Sequence, residues 1–301
     1  MKTKHAYLVV AYNNWEILQL QFDLLDHPQN DIYLTIDSKQ AIPPWLFDNL
    51  KQSMKQSGLH IMPPQKVYWA EFSQVQVMLN MIKAAMDNEK DSDFHYTYFH
   101  FFSGTCLPIK SQKHIHDFCD KQNKEFIGIV PREFWYCNKR VRFYWWLIDT
   151  PYYHRFKAIK ALSTVLALCQ RPLGVNRIKH FDGKIYNGWD WASITHEFAT
   201  YLTEKESLIK KMFKKTLCPS ELWLHTLALN SPFKDRLFDV NSLRNGSMRY
   251  IDWQRGRPYT WGAEDTDFDT LMDSPYLFAR KFDVKHRDIV LKLHNFLKQQ
   301  D

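Results

Sequence analysis

The chain has 301 residues, 45% hydrophobic and 24% charged, and its 40 Lys and Arg against 33 Asp and Glu leave a net charge of +7. These are globular proportions, and they exclude a disordered tail, a collagen and a coiled coil. Aromatic residues reach 16%, with 11 Trp against only 9 Gly; aromatics beyond core demand line sites for flat or sugar-like ligands, or sit at membrane interfaces.

The run Ala6 to Tyr12 is continuously apolar and of strand length, so it reads as a buried strand. Asn13-Asn14 ends it and can cap a helix over Trp15 to Leu25, where Ile17, Leu18, Leu20, Leu24 and Leu25 recur at helical spacing. Asp31 to Asp37 is a second strand that ends in a carboxylate. Strand, helix, strand is a βαβ opening, and parallel strands of this kind place ligands beyond their carboxyl ends. Tyr12 and Asp37 therefore belong at the rim of a crevice. Lys66 to Trp69 reads as a short third strand, and Phe72 to Met86 as an amphipathic helix with Ser73 near its start. Phe94 to Phe102 is strongly β-prone and runs into a turn-rich loop, Ser103 to Lys110. A helix from Ile115 to Lys121 and a strand from Phe126 to Val130 follow. This alternation predicts an α/β fold with a mostly parallel central sheet flanked by helices.

Glu133 to Tyr153 is dominated by Tyr, Trp, Phe and Arg without a clean period, and is expected as a flexible aromatic-basic loop over a site or as a membrane-facing surface. Residues 158–169 look helical, Gly188 to Ile194 reads as a strand, and Thr195 opens a helix to about Lys205. Pro219-Ser220-Glu221 begins a helix carrying Leu222, Trp223, Thr226 and Leu227; first-turn carboxylates are favoured there by the helix dipole. Met248 to Trp253 is expected to be the last strand, before a helical, basic tail. No internal repeat or low-complexity linker divides the chain, so residues 1–301 are expected to form a single domain.

The five Cys, at 106, 119, 137, 169 and 218, include no C-x-x-C pair, so neither a disulfide framework nor a zinc knuckle is expected. Met1-Lys2-Thr3-Lys4 leads into a strand-like run rather than an apolar leader, and no uncharged stretch reaches the roughly 18 apolar residues that span a bilayer. The expectation is a soluble cytoplasmic protein, whose positive charge allows peripheral contact with anionic lipid at the inner face of the membrane. The dinucleotide, P-loop, nucleophile-elbow and H-E-x-x-H motifs are absent. Three acidic triplets are similar to the D-x-D metal motif of nucleotide-sugar enzymes, but none suits it. Asp91-Ser92-Asp93 precedes its strand, Asp265-Thr266-Asp267 sits at a helix start where Asp is a good cap, and Asp252-Trp253-Gln254 lacks the second acid. No metal site is expected, and the charge alone does not imply nucleic acid.

Taken in order, several motifs carry a resemblance. They are His5-Ala6-Tyr7-Leu8, Asp31 to Asp37, Trp69 to Val75, Ser103 to Lys110, Gly188 to Thr195, Cys218-Pro219-Ser220-Glu221, Arg249 to Trp253, and Leu277 to Asp283. From about residue 5 to 284 the chain resembles the core-2/I-branching β-1,6-N-acetylglucosaminyltransferases. That family, glycosyltransferase family 14, also holds the peptide O-xylosyltransferases; the compact length resembles its bacterial branch. The resemblance implies a GT-A-like fold and an inverting, metal-independent transfer, most simply of GlcNAc, from a UDP-sugar to a hydroxyl of a glycan or lipid-linked saccharide, with no further cofactor. UDP-xylose, UDP-glucose and UDP-galactose are the alternative donors, and a non-catalytic carbohydrate-binding protein the alternative class.

The resemblance also implies roles. Glu221 falls on the catalytic base. Arg280 and Lys281 match the basic pair of an F-A-x-K-F motif that meets the diphosphate, with Arg255 or Arg257 as the second basic contact. Asp37 matches an acid that holds the nucleotide and Trp69 and Ser73 a W-x-x-x-S element beside it, while Tyr12 stands at the first strand end of the same donor site, where bacterial relatives usually carry His. Trp253, with Trp191, matches the aromatic side of the acceptor site, and Arg140 and Arg142 lie in the acceptor region. Cys106 replaces an Asp of the family's S-G-x-D-x-P loop, and Trp189 replaces a Ser.

Overall fold

The computed structural model describes residues 2–130 and 134–300, the side chains of residues 134 and 135 excepted. The opening is as expected: β1 (Lys2–Ala11), α1 (Trp15–Leu25), β2 (Asn30–Ile36). β1 is buried from His5 to Ala11, which is why its apolar run shows no alternation: both faces are covered. α2 (Leu46–Ser53) and β3 (Gly58–Ile61) follow, then α3 (Ser73–Lys90) and β4 (Phe94–Ser103). β5 (Cys106–Pro108), α4 (Gln112–Gln122) and β6 (Phe126–Val130) complete the first half. Next come α5 (Phe134–Arg142), α6 (Tyr152–Arg155), α7 (Lys157–Leu168), β7 (Asn187–Thr195), α8 (His196–Glu204) and α9 (Glu206–Phe213). A 3-10 turn at Pro219–Glu221 precedes α10 (Trp223–Leu229) and α11 (Leu243–Ser247). β8 (Arg249–Ile251), α12 (Asp267–Met272), β9 (Phe278–Arg280) and α13 (Arg287–Lys298) close the chain.

The large sheet has the order β3-β2-β1-β4-β7-β6. β1, β2, β3 and β4 are mutually parallel, whereas β7 runs antiparallel to both neighbours. The carboxyl ends of β1, β2 and β4 therefore reach one edge, and the reversed β7 brings its amino end to that same edge. Helices cover both faces: α3, α8, α9 and α10 shelter one apolar core, while α1, α2 and α4 shelter the other. In α3 the buried Val75, Met78, Leu79, Ile82 and Ala85 make the stripe expected of an amphipathic helix, and each large aliphatic contributes roughly 1.5–3 kcal/mol. A small second sheet, β5-β9-β8, packs with α12 and α13 on a third core. Arg249 pins the two sheets together. Its buried guanidinium donates to Ser193 Oγ at 3.2 Å and to the carbonyls of Ala192 at 2.8 Å and Phe101 at 3.3 Å.

Several expectations need correction. Lys66 to Trp69 is not a strand: only Gln65 bridges to Asp37, and the backbone beyond it is spent on side-chain contacts. The edge strand is β3, where a Cβ on Gly58 would lie 2.6 Å from Asp31 Oδ1. Part of the turn-rich loop after Ser103 is β5, paired antiparallel with β9. β8 is not the last strand, because Phe278–Arg280 adds β9 beside it. The helix expected from Pro219 is broken at Leu222 into a 3-10 turn and α10. The segment expected as a loop contains α5; its first residues, 131–133, lie outside the described residues. A buried charged residue, Arg140, interrupts the apolar face of α5 and hides its period.

Candidate functional site

At the shared edge lies a cavity of about 600 Å³. Tyr12, Asp37, Trp69, Trp191, Glu221, Trp253, Arg257, Arg280 and Lys281 all line it, so residues spread over most of the sequence converge there. Val10, Val77, Met78, Phe101 and Trp223 supply an apolar part of the wall.

Each element delivers its residue for a physical reason. Asp37 follows the end of β2. Its carboxylate pairs with Lys39 at 2.7 Å and accepts the backbone N–H of Lys39 at 3.1 Å and of Val67 at 3.3 Å. It thus ties the 65–69 strip to the sheet. Trp69, at 63% exposure, projects from that strip at the cavity mouth. The next residue, Ala70, has φ 61, and Cys218, with φ 48, donates its N–H to the Ala70 carbonyl at 3.0 Å. Left-handed backbone is uncommon for both residue types. Here the two such residues dock the Trp69 strip on the turn that carries Glu221. Gln74 reinforces the junction: its Oε1 accepts the Ala70 N–H at 2.9 Å and the Ser220 hydroxyl at 3.5 Å.

Glu221 ends the 3-10 turn and ion-pairs with Arg140 at 2.9 Å. Arg140 also donates to Asn187 Oδ1 at 3.0 Å, to the Leu217 carbonyl at 2.8 Å and to the Cys218 carbonyl. A guanidinium has a fixed donor fork, so this set holds one geometry. Asp190, on β7, is a further carboxylate in the cavity, and among the described residues its Oδ1 has no hydrogen-bond partner. Burial, with the negative charge of Glu221 beside it, pushes its carboxyl up to about 6. β7 can pass this close because Gly188 has no side chain: a Cβ there would lie 2.0 Å from the Gly128 carbonyl oxygen and 2.2 Å from the His225 ring.

The opposite charge comes from the small sheet. Arg280 lies over the Trp191 ring at 4.5 Å, and among the described residues its Nε has no hydrogen-bond partner. Among the described residues, no ion pair engages Arg257, Arg280 or Lys281. The cavity therefore presents three carboxylates, Asp37, Asp190 and Glu221, together with unpaired cations and several aromatic faces. That combination suits a ligand with an anionic end and a hydroxylated, C–H-rich end.

Four expected site residues lie outside the lining. Ser73 accepts the Tyr68 N–H at 2.9 Å and shapes the Trp69 strip. Arg255 is consumed by Asp252 at 2.7 Å and by Glu264 and Asp267 at 2.9 Å each, over the Tyr259 ring. Arg142 is exposed on α5, donates to the Val175 carbonyl at 3.4 Å and lies over the Phe143 ring. Arg140 acts behind Glu221. Asp190 is not among the residues the sequence singles out; its signal there is an acid placed between two Trp within a strand. Gln74 is not among them either, and nothing in the sequence marks it.

The acidic triplets are engaged elsewhere. Asp93 pairs with Lys2 at the far end of the sheet, Asp252 with Arg255, and Asp267 with Arg255, Tyr259 and the Gly262 N–H. Among the described residues, two groups have donor atoms close enough to hold an ion: His5, His116 and Asp120, and Glu89, His95 and His196. Neither lines the cavity.

The chain is 26% identical over 284 residues to xylosyltransferase sqv-6 of Caenorhabditis briggsae, an alignment covering 85% of this chain and 32% of that protein. It is 30% identical over 125 residues to human xylosyltransferase 1, covering 36% of this chain and 13% of that one. It thus spans about a third of the sqv-6 protein's length, or less of the others. Among solved structures, mouse xyloside xylosyltransferase 1 in its apo form aligns with 93% of this chain and 97% of its own, at 10% identity and a TM-score of 0.39. Residues 5–267 match the family described as Branch: Core-2/I-Branching enzyme. That match takes in most of the cavity-lining elements, and with it the chain belongs to the core-2/I-branching enzyme family.

Proposed function

We propose that the chain is an inverting glycosyltransferase, one GT-A-like domain over residues 1–301, that moves a sugar from UDP to a hydroxyl of a glycan or lipid-linked saccharide without a bound metal. The observation that carries this reading is the lining itself: Glu221 and Asp190 share one cavity with Arg257, Arg280 and Lys281. An acceptor hydroxyl is a weak nucleophile. A positioned carboxylate takes its proton as the oxygen attacks the anomeric carbon. The bond from that carbon to the diphosphate breaks from the opposite face, and UDP leaves with the bonding electrons. The charge it gains is met by the unpaired cations. Aromatic faces at Trp191 and Trp253 suit the C–H faces of the sugars.

Glu221 is the first reading of the base, held in one orientation by Arg140. Asp190 is the second, favoured by its unpartnered oxygen and raised pKa, which suit proton uptake near neutrality. For the donor, UDP-GlcNAc is the first reading, and UDP-xylose the second because the relatives are named xylosyltransferases. Peripheral attachment at the inner face of an anionic membrane belongs to the same reading, and nucleic acid does not.

The experiment is UDP release from a panel of UDP-sugars, with and without a saccharide acceptor, in EDTA. The expected result is acceptor-stimulated release with one donor and full activity in EDTA. Release that is lost in EDTA and restored by Mn²⁺ would overturn the metal-free reading. No release with any donor would favour a carbohydrate-binding protein.

A further inference from the structure

Residues 139–179 contain nine Lys and Arg and a single acid, Asp149, so this stretch alone outweighs the chain's net charge of +7. Asp149 is itself paired with Lys215. The same stretch holds the largest concentration of exposed apolar side chains: Tyr152, Phe156, Leu162, Val165, Leu168 and Leu173, the last at 77% exposure. α7 is inside out. It buries Ser163 and Ala167 and turns Leu162, Val165 and Leu168 to the outside.

This is a built surface and not a frayed loop. Phe143, Trp145, Ile148, Tyr153 and Ala167 form a small core beneath it. Ser163 bonds the Trp146 carbonyl, and Gln170 and Tyr144 exchange hydrogen bonds at 2.8 and 2.9 Å. Arg177 donates to a set of carbonyls between residues 211 and 215, which locks the stretch to the body. An apolar face held rigid toward water needs a partner.

We propose that this face docks the protein on a bilayer rich in anionic lipid, with the side chains of α7, Tyr152, Phe156 and Leu173 entering the headgroup region and the flanking Arg142, Arg155, Lys157, Lys160 and Arg171 meeting lipid phosphates. The interleaving of cations with aromatic and aliphatic side chains on one helical stretch is the pattern of an interfacial helix. A second copy of the chain fits less well, because a twofold contact would set this cationic face against itself. The face adjoins the cavity: His154 packs edge-on against Trp69 at 5.5 Å between ring centroids, and Trp69 lines the mouth. Docking therefore presents the cavity mouth to an acceptor anchored in the membrane. This inference rests on the peripheral attachment proposed above and names its surface.

The test is flotation of the full chain with phosphatidylcholine vesicles, with and without phosphatidylglycerol. Acceptor-stimulated UDP release on a soluble saccharide is measured in parallel. The wild type should float with the anionic vesicles at least tenfold better than with the neutral ones, and salt should reverse much of this. The triple variant Leu162→Ser, Val165→Ser, Leu168→Ser should lose binding at least tenfold, and so should Lys157→Glu with Lys160→Glu. Both alter exposed side chains and should keep the wild-type melting temperature and soluble-acceptor rate. No binding of the wild type would overturn the proposal. So would binding undiminished in the serine variant, which marks a general polyanion site, or a wild-type dimer that the serine variant dissolves. Because UDP release is read separately, vesicle binding without transfer leaves the surface standing and removes only the enzymatic reading.

Discussion

Glu221, Asp190 and Lys281 separate chemistry from scaffolding at the level of single residues. Glu221→Gln should lower turnover by about 10²–10⁴ while UDP binding by calorimetry is nearly unchanged, since a general base acts on the acceptor and not on the nucleotide. Asp190→Asn discriminates the two readings through the pH profile. With Asp190 as the base, wild-type turnover falls as pH drops through about 6, where its carboxyl takes up a proton, and the Asn variant loses both rate and that limb. With Glu221 as the base, Asp190→Asn keeps most of the turnover. Lys281→Ala should lower the rate constant by about tenfold or more and weaken UDP binding, because a charge-assisted phosphate contact is worth roughly 1.5–3 kcal/mol and strengthens as the leaving group gains charge. Lys281→Arg should recover only part of this. A Lys281→Ala variant that binds UDP and turns over like the wild type would leave the diphosphate to Arg280 and Arg257.

At the scale of elements, the site depends on two junctions. One is the contact of the Trp69 strip with the Glu221 turn; the other is the close passage of β7 by β6 and α10. Arg140→Ala strikes the first. It frees Glu221 and leaves Asn187 Oδ1 and the Leu217 and Cys218 carbonyls without their donor. Stripping a buried acceptor such as Asn187 Oδ1 costs about 1–3 kcal/mol, so the melting temperature should fall together with turnover. Gly188→Ala strikes the second, because no rotamer relieves a Cβ 2.0 Å from a backbone oxygen. β7 must shift, and both a lower melting temperature and lost turnover are expected, measured by thermal denaturation and UDP release. An unchanged Gly188→Ala variant would show that β7 does not pass so close.

For the molecule as a whole, stability between neutral and mildly acid pH depends on buried histidines. Burial lowers the pKa of His5 and His100, of His116 to about 2, and of His225 to about 3. Below about 6.5 the unfolded chain binds protons that the folded chain refuses at these four positions, so stability falls as pH drops. Burial has the reverse effect on Glu125, pushed up to about 7, and on Asp190, at about 6: each binds its proton in the fold above the unfolded carboxyl pKa, and that stability is lost as pH rises. Between about 4.5 and 6 the four buried histidines and the two buried acids act in opposite directions, and the histidines are the more numerous. The melting temperature should therefore be clearly lower at pH 5 than at pH 7. A flat profile would mean that the histidines titrate in the fold as they do in water.

The alternation of apolar runs and helical periods in the first half was legible because it is local. A strand covered on both faces is continuously apolar, and an amphipathic helix repeats every three to four residues; β1, α1, β2, α3, β4 and β6 show this. The placement of Tyr12 and Asp37 at the crevice rim followed from the same parallel opening. The family motifs likewise named Glu221, Trp253, Arg280 and Lys281, which the fold brings into one cavity. What stayed hidden depends on partners distant in sequence. β5 and β9 are three residues each, too short to show a period, and are strands only through their partners, β5 against β9 and β9 against both β5 and β8. The reversal of β7, which carries Asp190 to the carboxyl edge of the parallel strands, is a property of the sheet and not of the segment. Arg140, Arg255 and Ser73 look like site residues in the chain, and only the tertiary structure shows their donors and acceptors already occupied. A residue's type and spacing restrict the chemistry it can do; whether its polar atoms remain free to do it is decided by what folds against it.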